Sequence, residues 1–245
     1  MIHRAVTTRD RGFVMSDTSP NPRLSRSFFD QPTETVAREL LGKALIRRIA
    51  GQLLGGLIVE TEAYLSSRDP ASHSTRGPTR SNAAMFDRYG TLYVYPIHAK
   101  HCMNVVTGQV GEGSAVLIRA IEPVWGLETM MEHRGMDHVR QLTRGPARLC
   151  QALQIDRRYD RVDLLTSDEV WFSHGCTIGS DIIVTSRIGI SAARDLPLRF
   201  FIDGNWFVSG RAREHRTPPS HAGRLWRSAY LLKRNRQPAI GRLDL

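Results

Sequence analysis

A chain of 245 residues, 41% hydrophobic and 24% charged, has the make-up of a folded globular protein and is long enough for one large domain or two small ones. No segment approaches the ~20 consecutive apolar residues of a membrane-spanning helix, and the first residues lack the apolar core of a signal peptide, so the chain is expected to work in the cytosol. The formal charge is +10, from 34 basic and 24 acidic residues, and among the basic ones only Lys43, Lys100 and Lys233 are lysine. Arginine's planar fork suits phosphate oxygens, which makes a polyanion the expected partner. Cys102, Cys150 and Cys176 are odd in number and far apart, against both a disulfide framework and a zinc ribbon.

Residues 1–24, rich in Arg, Thr, Ser, Asn and Pro, read as a flexible N-terminal arm. The fold is expected to occupy residues 25–210. Val36, Ala37, Leu40 and Leu41 recur at helical spacing between Pro32 and Gly42. Two strand-like runs follow, "ALIRRIA" and "LLGGLIVETEAY", joined tightly at Gly51-Gln52. From Leu65 to Arg80 the Ser, Arg, Pro and Gly content predicts a loop, and a loop of that length inside a compact domain is usually functional or disordered. "NAAMFDRYG" predicts a short helix closed by Gly90. "LYVY" and "MNVV" read as strands flanking a polar tip, and "SAVLIRAIEP" as another strand. "GLETMMEHR", "GPARLCQALQI" and "DEVWF" read as helical, whereas "DIIVTSRIGI", "LRFFI" and "WFVS" read as extended. Strands and helices mix without regular alternation, which predicts an α+β domain and not a doubly wound parallel sheet. Residues 211–245 form a basic C-terminal tail.

The candidate chemistry starts in "GGLIVETEAY". On a strand, Glu60, Glu62 and Tyr64 share one face and Val59, Thr61 and Ala63 the other. A carboxylate buried against an aromatic wall is a candidate general base. On an open sheet face the same two acids would simply pair with arginines. Paired carboxylates also suit glycoside hydrolysis, although so basic a chain is poorly matched to a neutral polysaccharide. Tyr93 and Tyr95 alternate beside a tip holding Pro96, His98, Lys100 and His101, and aromatics interleaved with cations can stack bases and neutralise phosphates. His98, His101 and Cys102 have no second ligand pair at metal spacing, and the deaminase pattern of H-x-E with P-C-x-x-C is absent.

The blocks "IVETEAY", "DPASHSTRG", "RSNAAMF", "GTLYVY", "HCMNVVT", "AVLIRAIEP", "TRGPARLCQALQI" and "PLRFFIDGNWFVS" occur in one order over residues 28–210. Together they resemble the alkyladenine (3-methyladenine) DNA glycosylases of base excision repair. The resemblance implies a single mixed α/β domain with a curved antiparallel β-sheet, surrounding helices and a β-hairpin that enters the DNA minor groove. It implies a monofunctional enzyme that hydrolyses the N-glycosidic bond of alkylated or deaminated purines in double-stranded DNA. The alternative is a non-catalytic DNA-binding protein of the same fold.

Carried onto this sequence, the resemblance makes Glu62 the general base and Arg119 the residue that holds the water and a nearby phosphate. It makes Tyr64 one wall of the base slot, His73 and Tyr95 the other, and Asn104 the residue that crowds a normal guanine's amino group. It places Tyr93, His98 and Lys100 on the DNA. The family's wedge tyrosine falls on His98 in a tip one residue short; imidazole stacks over less area, so flipped DNA is expected to be held less firmly. The resemblance implies no metal or cofactor, no membrane, a monomer, and a cytoplasmic, nucleoid-associated site of action.

Overall fold

The computed structural model describes residues 22–221 and 224. Most of the stretches read as arm and tail therefore lie outside the described residues. Pro22 to Leu24, within the stretch read as arm, lie against the fold: Arg23 bridges to Ser173 and Leu24 is buried.

The elements run α1 (Arg26–Phe29), α2 (Thr33–Glu39), β1 (Ala44–Ile49), β2 (Gln52–Leu65), β3 (Leu92–Ile97), β4 (Lys100–Thr107), β5 (Ser114–Trp125), α3 (Leu127–Arg134), α4 (Pro146–Ala152), β6 (Val170–Ser173), β7 (Ile182–Thr185) and β8 (Arg199–Ile202), with short 3-10 turns between. Among the described residues, eight strands form one curled sheet in the order β3-β4-β5-β2-β1-β6, with β8 joined to β2 and β7 to β8. Every pairing between strands is antiparallel. The α+β reading holds for a single domain.

Fourteen-residue β2 organises the sheet, since β1, β5 and β8 all pair with it. Its Gly55-Gly56 step lets the neighbours close in. A Cβ at Gly55 would lie 2.1 Å from the Leu45 carbonyl oxygen, and one at Gly56 2.0 Å from that of Glu122. Further along, Val59 and Ala63 enter the main core, and the Thr61 hydroxyl donates to the Ala37 carbonyl of α2 at 2.7 Å. The opposite face is left to Glu60, Glu62 and Tyr64, as alternation predicts. The ladder to β5 slips at Ile58/Glu60 and again at Glu60/Thr61, so Val59 and Arg119 have no direct partner. Extra residues of this kind re-aim side chains, and here Arg119 comes to face both acids.

Four sequence expectations need correction. "DEVWF" is not helical: Val170–Ser173 is an edge strand on β1, sending Trp171 and Phe172 into separate apolar clusters, the opposite-face arrangement of a pleat. "WFVS" is a turn, fixed by the Phe207 amide donating to Asn205 Oδ1 at 2.9 Å. "DIIVTSRIGI" is extended only over Ile182–Thr185, beyond which the backbone leaves the sheet and turns the Arg187 side chain inward. "NAAMFDRYG" yields a single 3-10 turn, Ala83–Phe86.

The β3–β4 hairpin closes through His98-Ala99 alone, with φ of 45° and 59°. Positive φ at both central residues marks the type I′ turn, whose usual residues are Asn and Gly because a Cβ there is strained. Ala99→Gly is accordingly expected to stabilise the protein by about 1 kcal/mol, read as a higher melting temperature.

Candidate active site

Glu60 and Glu62 are both fully buried, but they sit in different surroundings. The Glu60 carboxylate accepts from Arg199 Nε at 2.7 Å, Arg119 Nε at 3.1 Å, the Ser209 hydroxyl at 2.9 Å and the Ser209 amide at 2.6 Å. Burial alone would raise its pKa; the charges of Arg119 and Arg199, helped by the Ser209 amide and the Arg199 hydrogen bond, outweigh burial and lower it to about 2. An acid so tightly held in its charged form cannot deliver a proton near neutral pH. Glu60 is therefore no general acid, and its four donors tie it to Arg119, Arg199 and Ser209, which counts against reading Glu60 and Glu62 as the working pair of a carbohydrate hydrolase.

Glu62 is held more openly. Among the described residues Oε1 accepts only the Ile188 amide, at 2.8 Å, and Oε2 takes the Tyr64 hydroxyl at 3.0 Å and the Arg119 Nη1 group at 3.2 Å. Each carboxylate oxygen has room for two donors, so Oε1 retains a lone pair. Arg119 joins the two acids and also donates to Ser209 Oγ at 3.2 Å. Burial disfavours its charge, but Glu62 and Glu60 together more than reverse that and raise its pKa. Two carboxylates and two guanidiniums, Arg119 and Arg199, balance in a buried network whose Arg119 reaches the cavity described next. Burial, then the adjacent Glu62 charge, push the Tyr64 phenol up as well, so it stays a neutral donor.

Beside this network lies a cavity of about 820 Å³, within the roughly 300–1,000 Å³ usual for ligand sites. Tyr64, His73, Tyr93, Tyr95, Asn104 and Arg119 all line it. His73 and Tyr95 meet edge to face with ring centres 4.5 Å apart, Tyr93 and Tyr95 stack at 5.5 Å, and a 2.8 Å hydrogen bond joins His73 Nδ1 to the Tyr93 hydroxyl. Burial lowers the His73 pKa, which favours an uncharged ring. Asn104 is fixed by donating to the Tyr93 carbonyl at 3.1 Å. His98 and Lys100 do not line this cavity and stand exposed on the hairpin tip. Among the described residues no group of three or more His, Cys, Asp or Glu could hold a metal ion, so His98, His101 and Cys102 make no such site.

Several residues that shape the site carry no obvious mark in the sequence. Asp69 and Arg187 form a wholly buried ion pair, with Arg187 Nη2 at 2.7 Å from Asp69 Oδ1. Arg187 also donates to the Ala63 carbonyl at 3.0 Å, and its guanidinium lies 4.6 Å from the centre of the Tyr64 ring. The pair ties the loop that carries His73 to the segment whose Ile188 amide holds Glu62. Arg199 and Ser209 belong to the same group of missed residues. Buried Asn82 pins the loop too, donating to the His73 carbonyl at 2.8 Å and the Gly77 carbonyl at 3.1 Å and accepting from the Thr79 amide at 2.6 Å. Asn82→Ala strands those partners and is expected to cost about 1–3 kcal/mol, measurable by thermal or urea unfolding.

Residues 27–206 match the family model for methylpurine-DNA glycosylase (MPG). The chain belongs to the methylpurine-DNA glycosylase family. It is 56% identical over 209 residues to a Rhodopirellula baltica protein named "Putative 3-methyladenine DNA glycosylase", covering 82% of this chain and 89% of that one. It is 45% identical over 215 residues to the mouse DNA-3-methyladenine glycosylase, covering 80% of this chain and 64% of the mouse protein. The human DNA-3-methyladenine glycosylase is 42% identical over 204 residues, covering 76% of this chain and 68% of that one. The alternation that puts Glu60, Glu62 and Tyr64 on one strand face thus lies in a methylpurine-DNA glycosylase fold, and the matched span runs from α1 to the turn before Ser209.

Proposed function

We propose that this chain is a monofunctional DNA glycosylase of base excision repair that works as a monomer on double-stranded DNA. Membership of the family makes it a hydrolase of N-glycosyl bonds acting on alkylated bases in DNA. The proposed substrates are turned-out 3-methyladenine, 7-methylguanine, hypoxanthine and ethenoadenine nucleotides, each left as an abasic site. The observation that carries the reading is the placing of Glu62, buried and oriented by Ile188, Tyr64 and Arg119, three residues that themselves line a cavity walled by aromatic rings. A DNA substrate puts this work at the nucleoid, in the cytoplasm. Among the described residues no helix is long and apolar enough to cross a membrane.

The chemistry follows from that geometry. A purine inside a duplex is out of reach, so the nucleotide must be rotated out at a cost of a few kcal/mol, least for damaged or mispaired bases. Tyr64 on one side and His73 with Tyr95 on the other recover part of that cost by stacking, each stacked base contributing roughly 1–3 kcal/mol. An uncharged His73 does not repel a cationic methylpurine, and electron-rich ring faces attract it. Asn104, held by the Tyr93 carbonyl, would meet the amino group of a normal guanine. As the bond from C1′ to the purine nitrogen breaks, its electron pair leaves with the base and positive charge grows on the sugar, next to Glu62. Glu62 orients a water, takes one of its protons, and the oxygen bonds to C1′. Arg119 keeps the carboxylate in place and faces a flanking phosphate. Neutral purines need a proton or a hydrogen bond on the leaving base, whereas cationic ones leave without it.

Strand cleavage by elimination would need an amine nucleophile, and among the described residues no lysine lines the cavity. Duplexes carrying each lesion are therefore expected to yield free base and strands that break only after alkali. Strands that break without alkali would contradict the monofunctional reading; lesion-selective binding with no free base would favour the non-catalytic alternative.

A further inference from the structure

The β3–β4 hairpin leaves a large aliphatic side chain in the open where the cavity meets solvent. Among the described residues, Ile97, Val110, Val184 and Leu196 are the exposed large hydrophobics, and of these only Ile97, 39% exposed, lines the cavity. The pleat explains its position. Tyr93, Tyr95 and Ile97 alternate onto one face of β3, so Ile97 extends the row of rings outward from the cavity. His98 and Ala99 are taken up by the turn, with φ of 45° and 59°, and neither lines the cavity. A two-residue turn leaves little slack, so Ile97 is presented at the end of a paired, hydrogen-bonded ladder. Lys100 stands opposite Ile97 in register and is exposed.

We propose that Ile97, and not His98, fills the gap left in the duplex when the damaged nucleotide turns out, with Lys100 against a neighbouring phosphate. This rests on the glycosylase reading above. An extruded nucleotide leaves the faces of the bases above and below it unstacked, and the helix recloses unless something apolar covers them. Aliphatic side chains serve as such wedges in DNA-bending proteins. A branched side chain beside an ammonium group meets both requirements, burial of base faces and neutralisation of backbone charge. His98 remains a contact at the apex of the turn.

A wedge matters only when there is a helix to hold open, which separates it from the chemistry. Wild type, Ile97→Ala, Ile97→Leu and His98→Ala are compared on one lesion placed in a duplex and in a single strand. Because Ile97 is part exposed and belongs to none of the core clusters, melting temperatures should fall only slightly, and all rates are compared on folded protein. Ile97→Ala is expected to slow release from the duplex by about tenfold or more and release from the single strand by less than about twofold, because only the duplex recloses. Ile97→Leu should restore most of the duplex rate, and His98→Ala should slow it less than Ile97→Ala does. Equal losses on both substrates, or a greater duplex loss from His98→Ala than from Ile97→Ala, overturn the proposal. If the wild-type protein releases no base from either substrate, the glycosylase reading fails and affinity decides the wedge separately. Ile97→Ala must then lose the preference for a duplex with an abasic-site analogue over an intact one, and an unchanged preference overturns it.

Discussion

Glu62→Gln is expected to stop base release while leaving lesion-containing duplex bound. The substitution keeps the size and shape of the side chain, and its carbonyl oxygen can still accept the Ile188 amide that now holds Oε1 at 2.8 Å. The amide nitrogen can donate to the Tyr64 hydroxyl, so that wall of the cavity stays in place. The new amide faces Arg119 Nη1 donor to donor, but Arg119 keeps its partners Glu60 and Ser209. What disappears is the capacity to take a proton from water and to place negative charge beside the sugar as the bond breaks. A positioned base contributes about 10²- to 10⁴-fold in rate, and loss of the charge acts in the same direction. Single-turnover release of free base from a methylated duplex should therefore fall by about 10²-fold or more, with duplex affinity, followed by fluorescence anisotropy, nearly unchanged. Wild-type turnover in the variant would remove Glu62 from the mechanism. Loss of binding in step with turnover would make it a structural residue.

The pattern "ETEAY" was enough to place two acids and a tyrosine on one face, because strand alternation is a local property. It could not separate the acids, since what distinguishes them comes from distant parts of the chain. Arg199 is read correctly as part of a strand in "LRFFI", yet nothing local says that it ends beneath Glu60. The Ser209 amide and the Ile188 amide are backbone groups, present at every residue, and gain meaning only when the fold aims them. Arg119 lies where the β2–β5 ladder slips, and bulges leave little trace in composition. It was the ordered set of family blocks, not periodicity, that selected Glu62. Asp69 and Arg187 sit in segments read as a loop and a strand, where a buried ion pair is least expected. "DEVWF" misled because a short apolar run reads equally as a buried helix turn or a strand; pairing with β1 decided it. The α+β class was legible because it needs only the irregular succession of elements.

Glu60→Gln should behave in the opposite way, lowering stability far more than the turnover of each folded molecule. Glu60 accepts from Arg119, Arg199 and both donors of Ser209, all within the closed interior. Removing one partner from a buried ion pair costs about 3–5 kcal/mol, since the remaining charge is left uncompensated. Here two guanidiniums would share the single charge of Glu62. The pH dependence gives an independent handle. The Glu60 pKa is lowered from 4.5 to about 2 in the folded protein, so folding favours its charged form. That stability is fully present above about pH 4.5, is lost as pH falls through about 2, and amounts to on the order of 3 kcal/mol. Urea unfolding should show wild type weakening across this window and the variant, already weaker at pH 7, responding less. At neutral pH and low temperature, where folded variant remains, base release per folded molecule should exceed that of Glu62→Gln, because the Ile188 and Tyr64 donors still orient the base. If Glu60→Gln instead kept the wild-type melting temperature and lost turnover as completely as Glu62→Gln, the two acids would act as one catalytic unit, and placing the proton transfer on Glu62 alone would be wrong.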